Sequence, residues 1–227
     1  MAARNALFAS IVVSFAVSGL GFAEEAHKGP AIVVCALGDF PTNVAEATAE
    51  HLGRHLRVKC VNATSHVERT NTAESQIRVL SLLLRQTQAV WCLGLILDPD
   101  YTNIIGRLSQ SNGVAIVNCA AFGVANASPS RSIDPVSLRL VEGEGVSAMA
   151  RLAGLAPCPN PKCCLHVVRT RDELSQRGVN LCPPCGGKFD AIAEKAGLVR
   201  EYARPNMDDL RRRVRSPKGG EKTPSKQ

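Results

Sequence analysis

A group of cysteines near the C-terminal end of the chain has the spacing of a metal site. Cys158 and Cys163 are separated by four residues, and Cys182 and Cys185 by two prolines. Each short turn can direct two thiolates at one ion, and four thiolates complete the tetrahedron that structural zinc prefers. The pattern therefore predicts one structural zinc ion held by these four residues. Cys164 is left over, and we expect it to point into the core.

Two other chemistries remain open for the same cysteines. In an oxidising compartment the four thiols could pair as two disulfides. Cys182 and Cys185 could also form a redox pair, in which a thiolate at a helix N terminus attacks a disulfide. A thiol-disulfide oxidoreductase is therefore one alternative function.

The remaining four cysteines lie among Val, Ile and Leu within predicted strands. A small apolar thiol packs well in such surroundings, and a disulfide between neighbouring strands is the alternative. These cysteines are Cys35, Cys60, Cys92 and Cys119.

The elements that must position these groups alternate between strands and helices. Apolar runs predict strands at 31–37, 90–97 and 113–121, and a further strand is predicted at 56–61, where apolar and basic residues alternate before Cys60. Helical spacing of apolar residues predicts helices at 44–56, 73–85 (with Thr72 as N-cap) and 189–196. The same spacing extends over 136–155, but Gly143 and Gly145 weaken its first half, so the helix is predicted at 146–153. The order predicts an α/β fold: a mixed sheet core covered by helices, with a small C-terminal zinc-knuckle lobe at 158–185.

The two ends of the chain differ in composition from the middle. One arginine and an apolar run predict a signal peptide at 1–23, followed by a linker at 24–30. We therefore expect a secreted or periplasmic protein, or a membrane-anchored one if the signal is not cleaved. Net charge is +7. We expect 204–227 to be a disordered basic tail that could contact anionic surfaces. We expect no nucleic-acid partner, because this tail contains no aromatic side chain and no recognisable nucleic-acid-binding motif.

The cysteine-rich segment resembles that of the archaemetzincins. Gly154-Leu-Ala-Pro-Cys158, then Cys163, then Cys182-Pro-Pro-Cys185, is similar to the cysteine half of that family's signature, in which HExxHxxGxxHC is followed by further cysteines. The opening strand and its loop at 31–40 are also similar, so the likeness spans roughly 31–198. This resemblance implies a metzincin-like fold with a bound structural zinc, and the family it points to consists of zinc metallopeptidases.

The resemblance also shows what this chain lacks. The family's two histidines of the helix fall on Ser147 and Arg151, its glutamate base on Ala148, and its third histidine on Pro157. None of these can hold a hydrolytic zinc or accept the proton of its water, and a fixed guanidinium repels a divalent ion. We therefore expect no catalytic residues at these positions.

These observations predict a pseudopeptidase, a catalytically inactive archaemetzincin-like protein that binds an unidentified peptide or protein. The alternative within the enzyme class is an active zinc-dependent metallopeptidase with non-standard ligands. His51 and His55, one helical turn apart on a different predicted helix, are its candidate ligands. A solvated helix face is the plainer interpretation of these two histidines.

Overall fold

The structure is a computed structural model that describes residues 31–67, 72–101, 105–124 and 133–201. The predicted signal peptide (1–23), linker (24–30) and basic tail (204–227) lie outside the described residues. Within the described ranges, no helix combines the length and the apolar character needed to cross a bilayer.

Five strands form one mixed sheet. They are β1 (Ile32–Leu37), β2 (Cys60–Val67), β3 (Trp91–Ile96), β4 (Gly106–Ser109) and β5 (Val114–Asn118). Their order across the sheet is β2-β1-β3-β5-β4. The first four strands in this order pair in parallel, whereas β4 pairs antiparallel with β5 at the edge. The predicted mixed α/β fold is confirmed.

Helices cover both faces of this sheet. They are α1 (Thr42–Leu56), α2 (Ala73–Thr87), α3 (Pro135–Leu152), α4 (Arg171–Gln176) and α5 (Pro183–Lys195). Because side chains alternate along a strand, Val34 and Leu93 pack with α1, α3 and α5, while Val33 and Cys92 pack with α2 on the other face. Cys163, Cys164 and Leu165 join the first of these clusters. The cysteine-rich segment is therefore packed on the main core.

The second strand does not lie where the sequence predicted it. The prediction was 56–61, but Leu56 is the last residue of α1, and Arg57 then adopts the left-handed conformation (φ 58°) that ends the helix. The strand begins at Cys60. Leu56 and Val58, whose apolar character suggested a strand, are buried in the core at the end of the helix and in the following turn.

Helix α3 is continuous over Pro135–Leu152, so the helix includes the first half of the 136–155 pattern and begins before the predicted 146. Gly143 and Gly145 were counted as weak points because glycine lowers the stability of an isolated helix. In the folded chain both positions face close neighbours. A Cβ on Gly143 would lie 3.0 Å from the Cα of Val179. Packing against these neighbours stabilises α3, and the contacts leave little room for a Cβ atom at Gly143 or Gly145.

We expect Gly143→Ala to lower the free energy of unfolding by about 1–3 kcal/mol, because the added methyl overlaps a backbone atom that cannot rotate away. The matched control is Gly186→Ala in α5, where a Cβ would meet nothing within 4 Å. That change should raise the stability by about 0.5–1 kcal/mol, the difference in helix propensity. Urea denaturation measures both, and a stabilised Gly143→Ala variant would contradict the close packing.

Two elements were not predicted. Strand β4 has only four residues and three of them are exposed, so it leaves no apolar run in the sequence. Helix α4 has only six residues, and the side chain of its N-cap Thr170 accepts a hydrogen bond from Glu173 N at 3.2 Å. The Thr-x-x-Glu spacing of this pair is a capping signal that could have revealed α4.

Candidate metal centre and the adjoining edge strand

The four cysteines predicted as zinc ligands come together in the folded chain. The Sγ atoms of Cys158, Cys163, Cys182 and Cys185 all lie within 4.8 Å of one another. Cys158 Sγ and Cys182 Sγ are 3.7 Å apart. A tetrahedral zinc with Zn–S bonds of roughly 2.3 Å separates its sulfurs by about 3.8 Å. The spacing of these two sulfurs therefore matches the edge of a zinc tetrahedron.

Backbone hydrogen bonds hold the two cysteine pairs in place. Cys158 lies beyond the end of α3, and its N–H donates to Leu165 O at 3.1 Å, which closes the first turn. Cys182 is the N-cap of α5 and Cys185 lies in the first turn of that helix. The Cys182 N–H donates to Cys163 Sγ at 3.4 Å, so one pair supports the other.

The electrostatics of Cys182 favour a thiolate. Burial acts to raise its pKa, but hydrogen bonds from the Cys185 backbone and from the other thiols outweigh burial, and the pKa of Cys182 is lowered. The positive end of the α5 dipole acts in the same direction. Burial instead raises the pKa of Cys163 and of Cys185. Because thiolates are the form that binds zinc, a bound ion would displace the protons of these thiols, and the convergence of the four sulfurs fits a closed structural zinc site.

The neighbouring side chains do not belong to the thiol cluster. Cys164 is fully buried, as predicted, and burial raises the pKa of its thiol. His166 follows Cys164 by two residues in the sequence. Its Nδ1 lies 3.1 Å from Cys158 O, so its ring caps the loop.

Disulfides were an open alternative for all the cysteines. All nine lie in the described residues, and none is joined to another by a disulfide. Cys35, Cys92 and Cys119 are completely buried, and Cys60 is half-buried. These four therefore pack as apolar side chains.

The four positions onto which the archaemetzincin catalytic residues fall (147, 148, 151 and 157) lie on α3 and just after it. Ser147 is completely buried and Ala148 nearly so, whereas Arg151 is half-buried and Pro157 is exposed. Gly154, the one matching residue, adopts φ 89°, a conformation that favours glycine. Among the described residues, only the four cysteines bring three or more His, Cys, Asp or Glu donor atoms within 4.8 Å of one another.

Strand β4 lies next to the C-terminal end of α3. The Gln110 side chain donates from Nε2 to Arg151 O at 3.1 Å and ties the end of the edge strand to the helix. Leu108 is directly opposite Ala115 in the pairing of β4 with β5, and Ala115 packs in the same hydrophobic cluster as the buried residues of α3. Leu108 therefore lies on the face of the sheet that α3 covers. Its side chain is nevertheless 42% exposed. Arg151 Nε is buried without a hydrogen-bond partner in the described structure.

A solvated helix face was the plainer interpretation of His51 and His55, and it holds for His55, which is exposed, but not for His51. The His51 side chain is only 11% exposed, and its Nδ1 lies 3.3 Å from Glu142 Oε2 of α3. The rings of His51 and His55 are 4.2 Å apart between centroids. The contact between Glu142 and His51 was not predictable from the sequence, because it arises from the packing of α1 on α3.

Comparison with solved structures shows the fold. The chain is similar to the crystal structure of a zinc-dependent peptidase from Methanocorpusculum labreanum, with a TM-score of 0.54 and 16% identity over 70% of this chain and 99% of that one. It is also similar to archaemetzincin from Methanopyrus kandleri, with a TM-score of 0.52 and 18% identity over 73% and 96% of the two chains.

These likenesses confirm the archaemetzincin-like fold that the sequence resemblance implied. No protein-family model matches the sequence, and a comparison with curated proteins gives no match.

Proposed function

We propose that this chain is an exported, catalytically inactive archaemetzincin-like protein. It keeps a structural zinc at Cys158, Cys163, Cys182 and Cys185, and it binds an extended peptide or protein segment along the free edge of β4, next to α3. The observation that carries the proposal is the convergence of the four thiols close to positions 147, 148, 151 and 157, none of which carries a histidine or a carboxylate.

The side chains of α3 argue against hydrolysis. A hydrolytic zinc needs about three protein ligands, an open position for water and a base that takes the proton of that water. Ser147 is a poor ligand at neutral pH, and Ala148 cannot act as a base. Arg151 places a permanent cation where a divalent ion would have to lie.

The same region is suited to binding. Among the strands that the structure describes, β4 pairs only with β5, so its other edge can accept an extended chain by main-chain hydrogen bonds. Leu108 offers an exposed apolar contact on this strand. Arg151 has a buried Nε–H that lacks a partner, and a carboxylate of the ligand would satisfy it. We therefore expect acidic peptides with an apolar residue to bind best.

Arg151→Gln should weaken the binding of such peptides by about ten- to a hundredfold, because a hydrogen bond to a charged group contributes about 1.5–3 kcal/mol. A mixture of defined synthetic peptides, captured by the zinc-loaded protein and identified by mass spectrometry, selects the ligand. Fluorescence anisotropy then measures its dissociation constant.

The matched control is Arg139→Gln, which removes an exposed arginine from the N-terminal half of the same helix. It should leave peptide affinity unchanged. If no acidic peptide is captured, or if both variants bind as the original protein does, the binding role is wrong. Chelator-sensitive peptide cleavage by the zinc-loaded protein would show that the chain is an enzyme.

A further inference from the structure

Strand β4 presents part of its main chain at the free edge, the side that faces away from β5. The Asn118 N–H donates to Ile105 O at 2.8 Å, and these residues are directly opposite each other when the pairing of β4 with β5 is continued by one residue. In an antiparallel pair, residues that bond across to the partner alternate with residues whose N–H and C=O groups point away from it. Arg107 therefore bonds toward β5. Gly106 and Leu108 direct their main-chain groups to the free edge.

Two arginines flank this edge on opposite faces of the sheet. Arg107 is exposed and lies opposite Ile116, which packs in the hydrophobic cluster that includes Leu80 of α2. Because residues directly opposite each other share a face, the Arg107 side chain is on the α2 face. Arg151 belongs to α3, which covers the other face. A ligand at the free edge therefore meets a cation on each face.

The position of Arg151 along the strand follows from Gln110. The Gln110 side chain donates to Arg151 O, and Gln110 follows Leu108 by two residues. Because a strand rises about 3.3 Å per residue, the backbone of Arg151 lies roughly 7 Å beyond Leu108, toward the C-terminal end of β4. Both residues are on the α3 face. Within the described structure, Arg151 Nε is buried and has no hydrogen-bond partner, so this cation retains a donor for a ligand.

We propose, on the basis of the peptide binding proposed above, that the ligand is a protein segment with the order acid, any residue, apolar residue, acid. The segment is extended and runs antiparallel to β4, since antiparallel pairing is slightly more stable per residue than parallel pairing. The partner is therefore a protein that exposes such an acidic segment, and the two arginines supply the complementary charge.

Each of the three specified positions has a counterpart on the protein. The apolar residue lies opposite Leu108, exchanges two main-chain hydrogen bonds with it and packs on its side chain, which is 42% exposed. Because side chains alternate along an extended chain, the acid two residues earlier lies on the same face, at the Arg151 end. The acid that follows the apolar residue lies on the other face, opposite Arg107. One acid thus meets each arginine.

Labelled peptides that differ only in the order of their residues test the pattern. Glu-Ser-Leu-Glu and Glu-Leu-Ser-Glu, each flanked by serines, acetylated and amidated, have the same composition and charge. Fluorescence anisotropy with the zinc-loaded protein should show that the first binds at least about tenfold more tightly. In the second peptide, neither acid is beside an arginine when its leucine lies opposite Leu108. Equal binding, or a preference for the second peptide, overturns the proposed order and direction.

Combined changes in peptide and protein assign each acid to its arginine. Replacing the first glutamate with glutamine should remove most of the effect of Arg151→Gln and leave the effect of Arg107→Gln unchanged. Replacing the last glutamate should do the reverse, with a coupling of about two- to fivefold, since an exposed cross-strand charge pair is weak. Arg107 is exposed, so its variant is expected to fold, and circular dichroism verifies it. Coupling of both acids to the same arginine contradicts the assignment.

Methylation of the peptide main chain tests the strand pairing without a change of charge. An N-methyl group on the leucine of Glu-Ser-Leu-Glu blocks its hydrogen bond to Leu108 O and should weaken binding at least about fivefold. The matched control is an N-methyl group on the glutamate that follows, because the N–H of that residue points away from β4. It should leave the affinity unchanged. Equal effects of the two methyl groups overturn the pairing with Leu108.

Two outcomes separate a wrong register from the absence of peptide binding. If Arg151→Gln weakens acidic peptides of every order alike, the edge of β4 binds peptides but does not select this pattern. If no acidic peptide binds to the zinc-loaded protein, the binding role itself is wrong, and the proposed pattern is wrong with it.

Discussion

Replacing Cys185 with serine is expected to abolish stoichiometric zinc binding and to lower the free energy of unfolding by more than about 4 kcal/mol. The binding free energy of a structural zinc is folding free energy, on the order of 10–16 kcal/mol in small zinc domains. Cys185 is nearly buried in the first turn of α5, close to the three other thiols. Without the ion, the buried Cys163 thiol, the half-buried thiols of Cys158 and Cys182 and the serine hydroxyl would remain beside the core. Metal content per chain and urea denaturation measure the two effects.

The adjacent Cys164 provides the matched control. It is buried next to Cys163 in the sequence but is outside the ligand set. Cys164→Ala should keep one zinc per chain and cost about 1 kcal/mol for the lost thiol. Quantified thiols add a second readout. Purified protein that holds no zinc and contains reducible disulfides at these positions would contradict the zinc site and favour the oxidoreductase.

Replacing Arg177 with methionine is expected to lower the free energy of unfolding by about 3–5 kcal/mol, because it leaves a buried carboxylate without its partner. Arg177 Nη2 donates to Glu144 Oε2 at 2.6 Å, and the two side chains are 4% and 10% exposed. This ion pair joins the segment after α4 to the middle of α3. Urea denaturation of the zinc-loaded protein measures the loss.

Two controls separate burial from charge. The double variant Arg177→Met with Glu144→Leu should recover most of the stability, since apolar side chains of similar size can replace a buried ion pair at little cost. Arg54→Met breaks the exposed ion pair with Glu50 and should cost only about 0.3–0.5 kcal/mol. If Arg177→Met were as mild as Arg54→Met, the pair would not be buried as the structure places it.

Much of the fold was predictable because its signals are local. The Thr72 side chain accepts a hydrogen bond from Ser75 N at 3.2 Å, as its position before an apolar helical pattern indicated. Strands β1, β3 and β5 follow continuous apolar runs, which parallel strands buried on both faces require.

Other elements were not predictable because distant contacts decide them. Gly143 and Gly145 lower helix stability locally, but the partners that fill the space beside them come from β3, α1 and the segment before α5. Strand β4 is recognisable only from its pairing with β5, since its own four residues are mostly exposed.

The sequence by itself predicted which four cysteines come together, and it shows that positions 147, 148, 151 and 157 carry no histidine or carboxylate. Both depend on spacing within short segments, where the covalent chain limits how far apart the side chains can be. Only the tertiary structure placed Glu142 beside His51, Glu144 against Arg177 and Gln110 on the end of α3. Each of these contacts joins residues from separate elements, and the packing of helices on the sheet, which no local pattern encodes, brings them together.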